Sequence, residues 1–174
     1  MIAMRGRATQ GACDHGCVRR LLTIALVFGL VGSACQDDGQ GEPSGNAVAR
    51  ATFSTHQEEV RTDDLRVADS PEERRTGLMG VEAMDENGGM VFVFDGQQDG
   101  SFWMKDTLIP LSIAFWGNDG RLLDILEMEP CTADPCPTYS ARAPYTHALE
   151  MNAHWFDDRG IEIGDRVELT IDSE

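Results

Sequence analysis

Positive charge is scarce in this sequence. Its 174 residues include 14 Lys and Arg against 30 Asp and Glu, for a formal net charge of −16. A balance so acidic argues against nucleic acid as a partner, and against adhesion to anionic lipid through a basic patch. The acids are scattered rather than clustered, which fits solubility outside the cytoplasm better than a dedicated cation site. Long hydrophobic runs are missing too: the eleven-residue stretch Leu21–Val31 falls short of the roughly 20 apolar residues that span a bilayer. There is no internal repeat, and no Ser or Cys beside a plausible His in a recognisable nucleophile elbow.

What the first 35 residues do contain is an export signal. Arg5, Arg7, Arg19 and Arg20 precede Leu21–Val31, and the small residues Gly32-Ser33-Ala34 lead into Cys35. A basic segment, a short apolar segment and a small-residue cleavage site describe a secretory signal peptide over residues 1–34. A cysteine just after the small residues resembles the lipobox of bacterial lipoproteins, with Cys35 as the lipid-modified first residue of the mature chain. Gly32 departs from the leucine usual in such boxes, and cleavage of an ordinary signal near Ala34 is the alternative. Arg19-Arg20 also invites a twin-arginine reading, although the residues around the pair match that motif poorly. Cys13 and Cys17 lie in the segment to be removed, and Met4 is as acceptable a start as Met1. Removal of residues 1–34 takes away four basic residues and one acid, leaving a mature chain at −19.

Residues 35–48 then read as a lipid-anchored tether, since Gln36–Asn46 is rich in Gly, Asp, Gln and Ser, a composition that stays flexible and hydrated. Residues 49–174 are long enough for one domain with a single core.

Within that domain the patterns favour strands. Ala51–Thr55 and Leu65–Ala68 alternate weakly, and Met90–Phe94 is a continuous apolar run suited to a buried strand. Phe102–Thr107, Leu111–Trp116, Leu122–Met128, Tyr145–Met151 and Arg166–Ile171 complete the set. Gly117-Asn118-Asp119-Gly120 supplies residues that tolerate positive φ, so the strands on either side form a hairpin. Ser70-Pro71-Glu72-Glu73 carries a cap, a Pro at the first helical position and a Glu three residues after the Ser. It predicts a helix from Pro71 to about Met79, closed by Gly80, with Gly77 inside it. A short helical turn around His154–Asp158 should end at Gly160. Closely spaced strands with little helix predict a mainly β domain, an antiparallel β-sandwich or incomplete barrel with one or two short helices.

Several blocks recur in a known pattern: G-L-M-G at Gly77–Gly80, G-M-V-F-V-F at Gly89–Phe94 and S-F-W-M-K-D-T-L-I-P-L-S-I-A-F-W at Ser101–Trp116. Pro130–Tyr139, Ala148–Ala153 and Ile163–Val167 extend it. In order and spacing these resemble domain-of-unknown-function family 192, small bacterial and archaeal domains, over roughly the last two-thirds of the chain. The resemblance implies a mainly antiparallel β domain and brings no established activity. Three positions depart from the family's usual pattern: Val81 replaces a common arginine, Asp106 an asparagine and Ser112 an aspartate.

Few residues are placed for chemistry. Cys131 and Cys136 flank Thr132-Ala133-Asp134-Pro135; in an exported protein such a pair most simply forms a disulfide. Closing so short a loop contributes of order 2–3 kcal/mol in the chain-entropy model. A redox dithiol and a half metal site completed by His147 or His154 are the competing readings. Prolines preclude the helix start that redox motifs use, and the histidines lack zinc-ligand spacing. No metal or cofactor is therefore expected. Six methionines (Met79, Met84, Met90, Met104, Met128 and Met151) lie in apolar patterns and read as core rather than as copper ligands. Lys105, Asp106, Thr107, Glu150 and Asn152 form the candidate ligand site. Lys105 and Glu150 are expected either to pair as a buried structural ion pair or to serve a ligand. Two functions follow: a lipid-anchored, non-catalytic module of the cell envelope with an unidentified small-molecule or protein partner, or a small extracytoplasmic hydrolase using Lys105 and Glu150 in acid–base roles.

The lipobox reading predicts that the mature protein begins at Cys35 and partitions with membranes. Cys35→Ser should release it or stall processing, as fractionation followed by mass spectrometry of the N-terminus would show.

Overall fold

The computed structural model describes residues 47–172. The expected signal segment, Cys35 and the tether up to residue 46 lie outside the described residues. Nine strands and one α-helix follow in the order β1 Val48–Ser54, β2 Glu59–Ala68, α1 Pro71–Thr76, β3 Gly89–Gln98, β4 Ser101–Trp103, β5 Leu111–Trp116, β6 Leu122–Met128, β7 Thr138–Ser140, β8 Tyr145–Asn152 and β9 Arg166–Asp172. Seven of the strands form one sheet in the order β6-β5-β8-β3-β2-β1-β9, and β4 pairs with β7 in a small second sheet. All pairings are antiparallel except β2 with β3, which are joined through α1 and run parallel. The large sheet curls until its edges touch at one end, through an isolated bridge from Arg121 to Arg166 and a few backbone hydrogen bonds beside it, including Leu122 N to Asp165 O and Val167 N to Gly120 O. The described residues are thus mainly β and form no closed barrel.

Alternation along the strands gives the sheet two apolar faces. On the inner face Phe53, Leu65, Val91, Ala114, Leu149 and Met151 pack with Trp155 and Phe156 from beyond β8. Phe53 meets both of those rings at 5.9 Å, an edge or tilted geometry favourable to aromatic pairs. On the other face Met90, Phe92, Ile113, Phe115 and Ala148 are covered by Leu78, Phe102, Met104 and Cys131 from the intervening segments. Met90, Met104, Met128 and Met151 are all buried among these apolar side chains.

Local chemistry accounts for the boundaries. Ser70 Oγ accepts from Glu73 N while the Glu73 carboxylate accepts from Ser70 N, a complete capping box with Pro71 at the first helical position. The helix ends earlier than expected, because Gly77 takes φ +48 and serves as its C-cap instead of continuing the helix. The expected strand Phe102–Thr107 stops at Trp103, since Asp106 adopts φ +55 and turns the chain. The hairpin turn forms as predicted, with Gly120 at φ +71 donating its N–H to Gly117 O. A 3-10 turn at Asp157–Arg159 ends on left-handed Gly160.

Gly89 fixes the approach of β3 to β8. A Cβ there would fall 2.4 Å from Met151 Sδ and 2.5 Å from Glu150 O, and the second contact is with backbone that cannot step aside. Gly89→Ala should therefore destabilise the domain by at least about 2 kcal/mol, measurable by urea denaturation.

Candidate functional site

The polar feature that the sheet creates is a row of side chains crossing four strands. Glu150 of β8 is in register with Met90 of β3 on one side and Ile113 of β5 on the other. Met90 is in turn in register with Arg66 of β2. Leu149 and Met151 belong to the inner core, while Met90, Ile113 and Ala148 belong to the opposite face. Alternation puts Glu150 and Arg66 on that same opposite face, two strand spacings or roughly 10 Å apart at the backbone.

Glu150 is 3 % exposed, and among the described residues nothing donates a hydrogen bond to its carboxyl group. Burial pushes that carboxyl up to about 7, opposed by the charge of Arg66. It therefore titrates near neutrality as a neutral carboxyl group in apolar surroundings.

Arg66 is exceptional for a different reason. The other basic residues of the described chain, Arg75 apart, have bonded partners. Arg50 and Arg61 hold Asp63, Arg142 holds buried Asp124 at 2.8 Å, and Arg159 holds Glu86. Arg121 and Arg166 donate to backbone carbonyls. Arg74 donates to the carbonyls of Asp69 and Val93 and lies over the Phe94 ring. Arg75 stands on the exposed side of α1. Arg66 instead lines two depressions. The first, of about 370 Å³, is walled by Val48, Val67, Asp69, Glu73 and Met90. The second is bordered by Asp64, Val81, Glu82, Met84 and Asp85.

Two acids share the lining of the first depression with Arg66. Burial raises the Asp69 carboxyl, reinforced by the charge of Glu73 and a side-chain hydrogen bond with it. Burial would raise Glu73 as well. Hydrogen bonds from Ser70 and Asp69 outweigh that, and Glu73 sits below its ordinary value. The Glu73 carboxylate is thus ionised and fixed by the helix cap.

The residues singled out from sequence do not converge. Lys105 forms no ion pair with Glu150, which corrects the expectation of a shared pair. Its Nζ lies 3.7 Å from Asp134 Oδ2 and 5.5 Å from the centre of the Trp103 ring, both in the partly exposed region around the cysteine loop. Asp106 is exposed, and its carbonyl accepts from Gly80 N. Thr107 is buried, with its hydroxyl 3.5 Å from Lys105 O. Asn152 Nδ2 donates to the carbonyls of Asp85 and Glu86 at 2.8 and 3.3 Å, fastening the turn that enters β3.

Cys131 and Cys136 are disulfide-bonded, and the ring they close carries the Asp134 that meets Lys105. Ser112, at one of the departures from the family pattern, is fully buried and donates to Glu127 Oε1 at 2.5 Å. His154 approaches the same carboxylate, with its N–H 3.1 Å and its Nδ1 3.7 Å from Oε2. Glu127 therefore separates the hydroxyl from the imidazole, the reverse of the order in which a base activates a nucleophile. His147 stacks on Trp116 at 5.3 Å, its imidazole lowered by burial and its Nδ1 bonded to Thr146 Oγ1. Sequence reasoning missed Arg66. Its signal is the lack of a partner, and only the folded chain shows which acids are spent elsewhere.

The family profile described as "Uncharacterized ACR" matches residues 52–169, which spans both faces of the sheet and Arg66, Glu150 and the cysteine loop. The chain belongs to domain-of-unknown-function family 192. Among curated proteins, none matches it. Two solved structures are similar. A candidate transcription regulator from Sinorhizobium meliloti 1021 shares 28% identity at a TM-score of 0.65, over 74% of this chain and 97% of its own. A protein of unknown function from Novosphingobium aromaticivorans DSM 12444 shares 28% identity at a TM-score of 0.64, over 70% of this chain and 84% of its own. In this member of family 192 Arg66 and the buried carboxyl of Glu150 occupy one sheet face, and among the described residues neither belongs to a nucleophile–base pair.

Because the folded carboxyl of Glu150 lies above its unfolded value, the native state binds the extra proton. The resulting loss of stability is absent at acid pH and grows as pH rises toward and past 7. Glu150→Gln should stabilise the protein at pH 8 by about 3 kcal/mol and change little at pH 4. Denaturation midpoints of the two proteins across pH 4–9 would check it.

Proposed function

We propose that this member of family 192 is a lipid-anchored extracytoplasmic module, held to the membrane through Cys35, that binds a small ligand without transforming it. One observation carries the binding reading: Arg66, without a bonded partner among the described residues, lines two depressions in a domain otherwise dominated by acids. A guanidinium left unpaired where carboxylates are abundant is available to an external anion. The arrangement of Lys105 with Asp134 supports the non-catalytic side of the reading, because Lys105 and Glu150 are not poised as an acid–base pair. The lipobox and the export signal support the envelope address.

The similarity to a candidate transcription regulator from Sinorhizobium suggests a nucleic-acid role, and the charge of this chain disfavours it. Affinity for a phosphate backbone rests on clustered Lys and Arg, whereas here most of the described cations are already bonded within the domain. A binding module is the better fit.

Native mass spectrometry of the mature protein purified from membranes should show an added small-molecule mass in part of the population. Arg66→Ala should lose that mass while unfolding at the same temperature, since Arg66 bonds to no described residue. A wild-type spectrum of bare protein that no extract component shifts would count against the binding reading.

A further inference from the structure

The walls of the depression beside α1 specify more than an anion. Arg66 stands in it with Asp69 and the ionised Glu73, while Val48 and Met90, on the same sheet face as Arg66, supply apolar surface. A simple anion drawn to Arg66 would meet repulsion from the two acids, and a simple cation drawn to the acids would meet repulsion from Arg66. A molecule bearing both charges close together satisfies both ends at once, and its remaining body would lie against the apolar wall. At about 370 Å³ the space is near the lower end of ligand pockets, roughly 300–1,000 Å³, which suits a single small molecule rather than a folded partner.

We infer that this depression binds a free α-amino acid with an apolar side chain, its carboxylate on Arg66, its ammonium toward Asp69 and Glu73, and its side chain against Val48 and Met90. The inference rests on the reading of Arg66 as the ligand anchor and adds the class of ligand. Glu73 is occupied in capping α1, so Asp69 is the acid free to be altered without undoing the helix. Its carboxyl hydrogen-bonds Glu73 and feels the charge of Arg74, an amide in its place can still donate to Glu73, and its backbone carbonyl, which Arg74 holds, is untouched by a side-chain change.

The test is calorimetric titration of the mature protein with L-leucine and L-methionine, with 4-methylpentanoate, which lacks the amine, and with 3-methylbutylamine, which lacks the carboxylate. The two amino acids should bind, and each half-molecule should bind weaker by about tenfold or more, the loss expected for one charge-assisted contact. Arg66→Gln should abolish the binding of L-leucine. Asp69→Asn should weaken L-leucine by about tenfold while leaving 4-methylpentanoate no weaker than before. Binding of 4-methylpentanoate as tight as that of L-leucine, dependent on Arg66, would overturn the amino-acid assignment and keep the anion site. If none of the four compounds binds, the amino-acid assignment fails. If, in addition, Arg66→Ala leaves the native mass spectrum unchanged, the binding reading fails with it.

Discussion

The register of β8 between β3 and β5 is the constraint on which the rest depends. This strand sits inside the large sheet, so one phase of its alternation decides which side chains enter the inner core and which enter the opposite face. With Leu149 and Met151 committed inward, Glu150 has no choice but the other apolar face. A slip of one residue would drive the carboxyl into the aromatic cluster of Phe53, Trp155 and Phe156 and expel two core side chains. The close backbone passage at Gly89 holds that register from the β3 side. An uncomfortable carboxyl is thus the by-product of a register the two cores enforce together.

The two acid sites of that face differ in kind. Asp69 and Glu73 share hydrogen bonds with each other and with the helix cap, so their charge is organised by neighbours. On Glu150 burial is the dominant influence, with the charge of Arg66 opposing it. Arg66 is the element common to both: it lines the depression with the two acids, and its charge acts on Glu150. The Lys105–Asp134 contact belongs to this pattern: the disulfide between Cys131 and Cys136 brings an acid to Lys105 that sequence proximity would not have nominated.

Strands and turns set by nearest neighbours were legible from the sequence. Leu111–Trp116 and Leu122–Met128 form with the expected limits, because the Gly117–Gly120 turn and the apolar runs agree. Helix α1 was legible at its start, where the cap is local, and misjudged at its end, where Gly77 takes a positive φ that stops the helix. Thr138–Ser140 was not anticipated as a strand, since its pairing with Ser101–Trp103 spans a long stretch of chain and leaves no periodic mark in three residues. The parallel pairing of β2 with β3 was equally invisible. Site residues fared least well. Glu150 stood out as a charge in an apolar block, but that no described residue hydrogen-bonds it, and that none bonds Arg66, are properties of the whole arrangement of charges.

The parallel joint between β2 and β3 has a kinetic side. Antiparallel neighbours linked by tight turns close early, whereas a parallel pair must wait for the intervening crossover to fold back, a contact of high sequence separation that is slow to form. Arg66 and Val67 reach the depression from β2, Met90 from β3, and Asp69 and Glu73 from the crossover itself. The depression therefore does not exist until that joint is made. An occupant would act as a fastener across the seam, favouring the assembled state by mass action and slowing any local parting of the β1–β2 hairpin from the rest of the sheet.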